Sequence, residues 1–121
     1  MPKVESFREM LRRYATGERD FAGSELDVDP DNDMSTQALD GINLSRSWIV
    51  ASFAKASLFR ASFRFANVKT CDFREADLTG ADFTNALIDA AQFQGATLTD
   101  TIFDGATYHS HVFAPGEKPK N

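Results

Sequence analysis

Large apolar residues recur at every fifth position along most of the chain. A small residue stands two positions before nearly all of them, and Ser, Asn or Asp often stands between the two. On an α-helix a spacing of five would spread these residues around the whole surface, and on a straight strand it would send them to alternate faces. The pattern therefore predicts short extended segments separated by turns, with the large and small residues pointing inward. The thirteen large residues are Phe53, Leu58, Phe63, Val68, Phe73, Leu78, Phe83, Ile88, Phe93, Leu98, Phe103, Tyr108 and Phe113.

Phenylalanine fills every second position of this series, which predicts the size of one coil. Three segments per coil would place Phe53 on Val68, whereas four segments place it on Phe73. Like residues stacked at about 4.8 Å pack uniformly and leave few voids. We therefore expect twenty residues per coil and four stacks: Phe53, Phe73, Phe93 and Phe113; Phe63, Phe83 and Phe103; Leu58, Leu78 and Leu98; and Val68, Ile88 and Tyr108.

The segments Ala-Asp-Leu-Thr-Gly at 76–80 and Ala-Asp-Phe-Thr-Asn at 81–85 resemble the A(D/N)LXX signature of the pentapeptide-repeat family. The resemblance covers roughly residues 37–114. It implies an all-β fold, a right-handed quadrilateral β-helix. The stretch 11–21 also resembles the leader that precedes such repeats in many bacterial members.

The N-terminal part departs from the regular register. Ile49 and Phe53 are four apart, so one corner residue is missing, and Phe21 and Leu26 form a separate pair of repeats. Residues 4–15 have helical spacing and predict a cap over the first coil. We expect a cap and leader at 1–20, repeats at 21–114 with an acidic insert at about 27–35, and a flexible tail at 115–121 that leaves the last coil uncovered.

Composition excludes several classes of protein. A net charge of -5 argues against direct nucleic-acid binding through phosphates. No apolar run is long enough to span a membrane, and the first residues are too charged for a secretory signal. The single cysteine, Cys71, excludes an internal disulfide and favours a cytoplasmic location.

Charge is segregated along the chain, and two alternatives follow for the acidic half. The resemblance extends to the pentapeptide-repeat proteins of quinolone resistance, which are thought to imitate DNA on gyrase, so these acids could form a DNA-like surface. Alternatively, turn positions simply accept any polar residue. The candidate acidic surface comprises Asp77, Asp82, Asp89, Asp100 and Asp104.

The basic half contains outward aromatic residues, a composition typical of binding surfaces. The alternative is that the helix or the insert covers them. Leu87, Ile102 and Val112 replace polar residues in the last coils and could mark a subunit contact. The candidate partner-binding patch comprises Trp48, Phe59, Arg60, Arg64, Phe65 and Lys69.

The last coil presents an apolar end and an open strand edge, which proteins normally cover. Two chains meeting end to end would cover it, so Tyr108, Val112 and Phe113 are the candidate dimer end. Gyrase-directed members of the resembled family dimerise through their C-terminal ends, using additional helices that have no counterpart here.

Candidate chemistry is weak throughout the chain. Cys71 occupies a small inward position, and His109 lies nearly two coils away, too far for a catalytic dyad. His109 and His111 supply only two metal ligands. The insert alternates four aspartates but lacks the glycine and glutamate of a calcium loop, so we expect a solvated loop lying against Lys55 and Arg60. These four are Asp27, Asp29, Asp31 and Asp33.

The sequence therefore predicts a non-catalytic scaffold without metal or cofactor. Its partner is another macromolecule of unknown identity. The alternative function is that of a DNA-mimicking regulator of a type II topoisomerase such as gyrase.

Overall fold

The computed structural model describes residues 3–121, so the first two residues of the predicted leader lie outside the description. It contains one helix, α1 (Phe7–Ala15), and four two-residue strands. Strands β1 (Glu25–Leu26) and β2 (Trp48–Ile49) pair in parallel. Strands β3 (Thr107–Tyr108) and β4 (His111–Val112) form an antiparallel hairpin.

Single parallel bridges, rather than long strands, connect one coil to the next. Through the regular part they pair residues twenty positions apart, as the phenylalanine spacing predicts. Each coil therefore contains four five-residue units, and we name the four stacks of units by the central residues they bury. Column A is centred on Phe53, Phe73 and Phe93; column B on Leu58, Leu78 and Leu98; column C on Phe63, Phe83 and Phe103; and column D on Ile49, Val68 and Ile88.

Stacked phenylalanine rings fill the interior of the coils. In column C the rings of Phe63 and Phe83 are 4.9 Å apart and within 10° of parallel. In column A the rings of Phe53 and Phe73 are 5.3 Å apart and within 6° of parallel. Between the columns the rings meet edge to face, as Phe63 and Phe73 do at 5.6 Å. Offset stacking and edge contacts are the arrangements that aromatic rings prefer.

Each corner of the coil is a tight turn. The amide of Ala56, for example, donates to the carbonyl of Phe53 at 3.0 Å. From Phe53 to Phe103 the residue two positions after each centre has a positive φ, which a type II turn requires at that place. Glycine occupies some of these corners, but Lys55, Phe65 and Ala90 hold φ values of 60°, 59° and 59°. Coil-to-coil hydrogen bonds from the amides of Lys55 and Phe65, to the carbonyls of Arg74 and Thr84, hold those two residues in a strained conformation.

Two irregularities fall at the same corner, between columns D and A. Glu25 pairs with Trp48, whereas Asp33 pairs with Ser52. The chain therefore takes eight positions from Glu25 to Asp33, where a regular unit takes five. From Trp48 to Ser52 it takes only four. The insert thus adds three residues to one coil, and the next coil lacks one at the same corner.

The N-terminal cap is anchored on the insert. Helix α1 begins at Phe7 rather than at residue 4, and it buries Phe7 and Met10. Val4 is extended instead, since its carbonyl accepts from the amide of Glu25 at 3.0 Å. The carboxylate of Asp29 accepts from the amide of Phe7 at 2.7 Å. The insert therefore binds α1, in place of the predicted contact with Lys55 and Arg60.

The last coil departs from the prediction in two ways. Hairpin β3–β4 turns the chain back, so the ring of Phe113 lies 6.0 Å from Phe103 instead of stacking on Phe93. The tail also returns to the coil. The side chain of Asn121 donates to the carbonyl of Ala96 at 2.6 Å, and Lys118 donates to that of Leu98 at 2.8 Å. The tail therefore covers part of the coil end, which the sequence analysis expected to be open.

Candidate interaction surface

Exposed apolar side chains are concentrated on column D. Outward positions elsewhere are mostly polar; in column A they are Ser52, Asp72 and Gln92. On column D and its two edges five large apolar side chains reach solvent, and we call them the apolar strip. Its members, with their exposed fractions, are Val28 (84%), Trp48 (57%), Val50 (40%), Phe65 (46%) and Leu87 (38%).

The register of the coils brings these distant residues together. Trp48 bridges Asn67, and Asn67 bridges Leu87, so the three side chains stand above one another at about 4.8 Å per step. Phe65 lies at the turn that precedes this column, and Val50 lies at the turn that follows it. The register therefore brings Trp48 and Leu87 onto one side of the coils although they are 39 positions apart in the chain, with the polar Asn67 between them.

A groove lies beside Trp48 at the shortened corner. The groove has a volume of about 250 Å³. Its walls are formed by Asp27, Trp48, Ile49, Val50, Asn67, Lys69 and Thr70. At the shortened corner Trp48 therefore lies beside a concave surface.

The two edges of column D differ in charge. On the edge shared with column C, the guanidinium of Arg46 lies 5.1 Å from the centre of the Phe65 ring. Arg46 forms no ion pair within residues 3–121. The edge shared with column A contains Asp27 and Asp89, and Asp89 pairs with Lys69 at 3.7 Å. A basic edge and a largely acidic edge therefore border the apolar strip.

The structure divides the predicted partner-binding patch. Trp48 and Lys69 lie on column D, and Arg64 and Phe65 lie together at its edge with column C, where the Arg64 guanidinium is 6.0 Å from the centre of the Phe65 ring. Arg60 lies at the turn between columns B and C. Phe59 lies at the turn after column B, 5.4 Å from the guanidinium of Arg60. Phe59 and Phe65 remain 40% and 46% exposed, so neither the helix nor the insert buries them.

The acidic residues do not form one stripe. Asp77 points outward from column B and Asp82 from column C, while the other three lie at three different turns. Asp82 also pairs with Arg64 at 2.8 Å. Burial raises the pKa of Asp82, but hydrogen bonds from Thr84 and Arg64 outweigh burial and lower it. The turn residues are Asp89, Asp100 and Asp104.

The described residues offer little for catalysis. Burial raises the pKa of Cys71 to about 12, so its thiol is neutral. Within residues 3–121 no three His, Cys, Asp or Glu side chains are grouped so that they could hold a metal ion. His111 instead contacts the carboxylate of Glu117 at 2.7 Å. A further cavity, of about 430 Å³, lies between α1 and the insert, beside their contact, and Arg8 and Asp31 are among the residues that line it.

The predicted dimer end is only partly exposed. Tyr108 and Val112 reach solvent, whereas Phe113 is buried by the returning hairpin. The backbone amides of Leu98, Asp100 and Phe103 meet no acceptor within the described part of the chain. One strand edge of the last coil therefore stays open beside the tail.

The coils, the inward phenylalanine stacks and the regular turns define a β-helical repeat protein. The family model described as pentapeptide repeats (8 copies) matches residues 71–105. Residues 71–105 are therefore pentapeptide repeats. No helix within residues 3–121 has the length and apolar character needed to cross a membrane.

Solved structures agree with this fold. A pentapeptide-repeat protein (Rfr23) from the cyanobacterium Cyanothece 51142 aligns with a TM-score of 0.68 at 22% identity, over 74% of this chain and 59% of that one. QnrB1, a plasmid-mediated fluoroquinolone resistance protein, aligns with a TM-score of 0.60 at 22% identity, over 74% of this chain and 48% of its own. The chain thus spans about half to three fifths of these proteins. No curated protein matches it.

The repeat pattern alone does not reveal the apolar strip as one surface. It groups Leu87 with Ile102 and Val112, and Trp48 with Phe59. The missing corner residue shifts the register by one, so the spacing from Trp48 to Leu87 is not a multiple of five. Correcting the spacing for that corner would have placed both residues in one column.

Proposed function

We propose that this chain is a non-catalytic scaffold that binds another macromolecule through column D. Its four columns are the sides of a right-handed quadrilateral β-helix. The observation that supports the proposal is the contrast between the apolar strip on column D and the polar outward residues of column A. Exposed apolar side chains gathered on one side of a protein and bordered by charge are typical of protein interaction sites.

The absence of catalytic character follows from how the fold uses its interior. The phenylalanine stacks fill the axis of the coils, so the axis offers no pocket for a substrate. The cysteine is buried and neutral. A reduced, buried thiol without a disulfide partner fits a reducing compartment such as the cytoplasm.

The DNA-mimicking alternative has less support. Such a surface needs carboxylates repeated along one side of the rod. Here the acids are distributed over several columns and turns, and Asp82 and Asp89 are paired with cations. The likeness to QnrB1 is one of fold. We therefore do not assign this function to the chain.

The proposal is tested by capturing partners from the source organism with two variants, one changed on column D and one changed on column A. Leu87 and Gln92 are the outward residues of two successive units, and both are exposed. We expect Leu87→Lys to abolish the capture of specific partners and Gln92→Lys to preserve it. Thermal unfolding checks that both variants remain folded. Equal capture by the two folded variants, or equal loss, would contradict the assignment to column D.

A further inference from the structure

The tail forms one wall of a cleft at the end of the last coil. The cleft has a volume of about 290 Å³, close to the lower limit of pockets that bind small molecules, which is about 300 Å³. Hairpin β3–β4 and the last unit of column A form the other walls. The lining includes four rings and two residues of the tail, namely Phe93, Tyr108, His111, Phe113, Pro119 and Lys120.

The wall that the tail provides is held in place on both sides of residues 119–120. Before this segment, the ammonium of Lys118 donates to the carbonyl of Leu98 at 2.8 Å. After it, the carbonyl of Asn121 accepts from the amide of Gly95 at 3.0 Å. The wall is therefore formed before any ligand binds, which reduces the entropy that binding costs.

The wall that the hairpin provides is held as well, and it is aromatic. The imidazole of His111 contacts the carboxylate of Glu117 at 2.7 Å. The same ring meets the buried ring of Phe113 edge to face, with centres 4.9 Å apart. A flat ring that enters the cleft gains stacked or edge contacts with such side chains, which an aliphatic ligand of the same size does not. The walls therefore favour an aromatic ligand.

Lys120 determines the charge of that ligand. Its ammonium forms no hydrogen bond or ion pair with any residue from 3 to 121. Among the same residues, no Asp or Glu lines the cleft. Aromatic cages can bind ammonium ligands, but Lys120 would repel a cation here. A carboxylate instead gives Lys120 a charged hydrogen-bond partner.

We propose that the cleft binds a small aromatic carboxylate, with the ring between the hairpin and the tail and the carboxylate on the ammonium of Lys120. The volume of the cleft suits a ligand with a single ring. The site is additional to the proposed function and does not depend on it, because neither Trp48 nor Leu87 lines the cleft.

Calorimetric titration of the full chain with four probes tests the ligand class. Benzoate has both the ring and the charge, benzyl alcohol and benzylamine change the charge, and cyclohexanecarboxylate replaces the aromatic ring. We expect benzoate to bind with a dissociation constant of about 1 mM or lower, and at least about fivefold more tightly than each of the other three. Equal binding of benzylamine or of cyclohexanecarboxylate, or no binding of benzoate at about 10 mM, would overturn the inference.

Variants of the tail locate the site. Lys120→Gln should weaken benzoate at least about fivefold and leave benzyl alcohol unchanged, whereas Lys120→Arg should retain benzoate. Lys55→Gln removes the same charge from an exposed corner of another coil and should change nothing. In the wild-type chain, benzoate should slow the hydrogen exchange of the Gly95 amide, because the ligand holds the tail against the coil.

The opposite results would show that the cleft is not the site. These are an equal loss of benzoate binding in Lys120→Gln and Lys55→Gln, a loss of benzoate in Lys120→Arg, or an unchanged exchange rate at Gly95. Thermal unfolding shows whether each variant is folded, and benzyl alcohol shows whether the cleft of Lys120→Gln is intact. Capture of partners through column D is unaffected by any of these results, so this inference and the proposed function fail separately.

Discussion

Columns A and D are built on the same backbone and present opposite surfaces to solvent. Both bury large apolar centres, and both make the same coil-to-coil hydrogen bonds. At the outward position column A has Ser52, Asp72 and Gln92, whereas column D has Trp48, Asn67 and Leu87. The inward positions therefore specify the fold, and the outward positions are free to specify binding.

The largest expected effects come from the inward positions of both columns. Replacing Phe73 by Ala removes a ring stacked 5.3 Å from both Phe53 and Phe93 and should cost about 3–5 kcal/mol. In column D, Ile88→Ala should cost about 2–5 kcal/mol, because Ile88 is equally buried. Denaturant titration measures both. The outward control Thr79→Ala should change the free energy of unfolding by about 0.5 kcal/mol or less. If Thr79→Ala lowered the free energy of unfolding as much as Phe73→Ala, the division into inward and outward positions would be refuted.

A smaller loss should follow from filling a glycine corner. Gly105 has a φ of +74°, and an added Cβ would meet the side-chain oxygen of Asn85. Gly105→Ala should lower the free energy of unfolding by about 1–2 kcal/mol, because alanine disfavours the left-handed backbone. A further loss should come from the Asn85 side chain, which has to rotate away from the new Cβ. Gly41→Ala has a similar φ and no atom within 4 Å, so it measures the backbone part alone. If both variants lose the same stability in thermal unfolding, the Asn85 side chain does not contact Gly105.

Replacing Ala90 by glycine, at the corner between columns D and A, should stabilise the chain. Ala90 holds a φ of 59°. Glycine removes about 1–2 kcal/mol of left-handed strain and adds about 0.5–1 kcal/mol of unfolded-state entropy. The net gain should be about 0.5–1 kcal/mol, seen as a higher denaturation midpoint. Ala54→Gly, one position before a left-handed residue, should instead destabilise. A loss for both variants would show that Ala90 is not strained.

The smallest effect concerns the insert, which separates columns D and A in the first coil. Hydrogen bonds from the amides of Phe7 and Asp31 lower the pKa of Asp29 below its ordinary value of 3.8. Because the folded-state pKa is lowered, the anchoring of α1 is fully present above pH 3.8 and is lost as the pH falls through that lower value. The amide resonance of Phe7 should titrate with this midpoint in wild type and not in Asp29→Asn. A midpoint at or above 3.8 would contradict the contact.

The sequence predicts the coil far better than it predicts the surface. The repeat of five and the alternation of Phe with aliphatic residues are enough to place Phe63 on Phe83, because inward packing leaves one consistent register. The outward positions obey no such periodicity. Trp48 and Leu87 could be joined only by knowing how the shortened corner shifts the register.

The repeat pattern could not predict the contacts at the two ends of the coils either. The contact between Asp29 and Phe7 joins two irregular segments, and it depends on the length of the insert. The return of the tail onto Ala96 and Leu98 relies on single side-chain hydrogen bonds from Asn121 and Lys118. Neither contact repeats along the chain, so no periodicity could reveal it.

A crystal structure of the chain would decide whether one coil contains twenty residues, through the relative positions of Phe63 and Phe83. We expect two buried, nearly parallel rings with centres about 5 Å apart, on adjacent coils of one column. Rings of these residues lying in different columns, or in contact with solvent, would contradict the twenty-residue coil and with it the assignment of every outward surface.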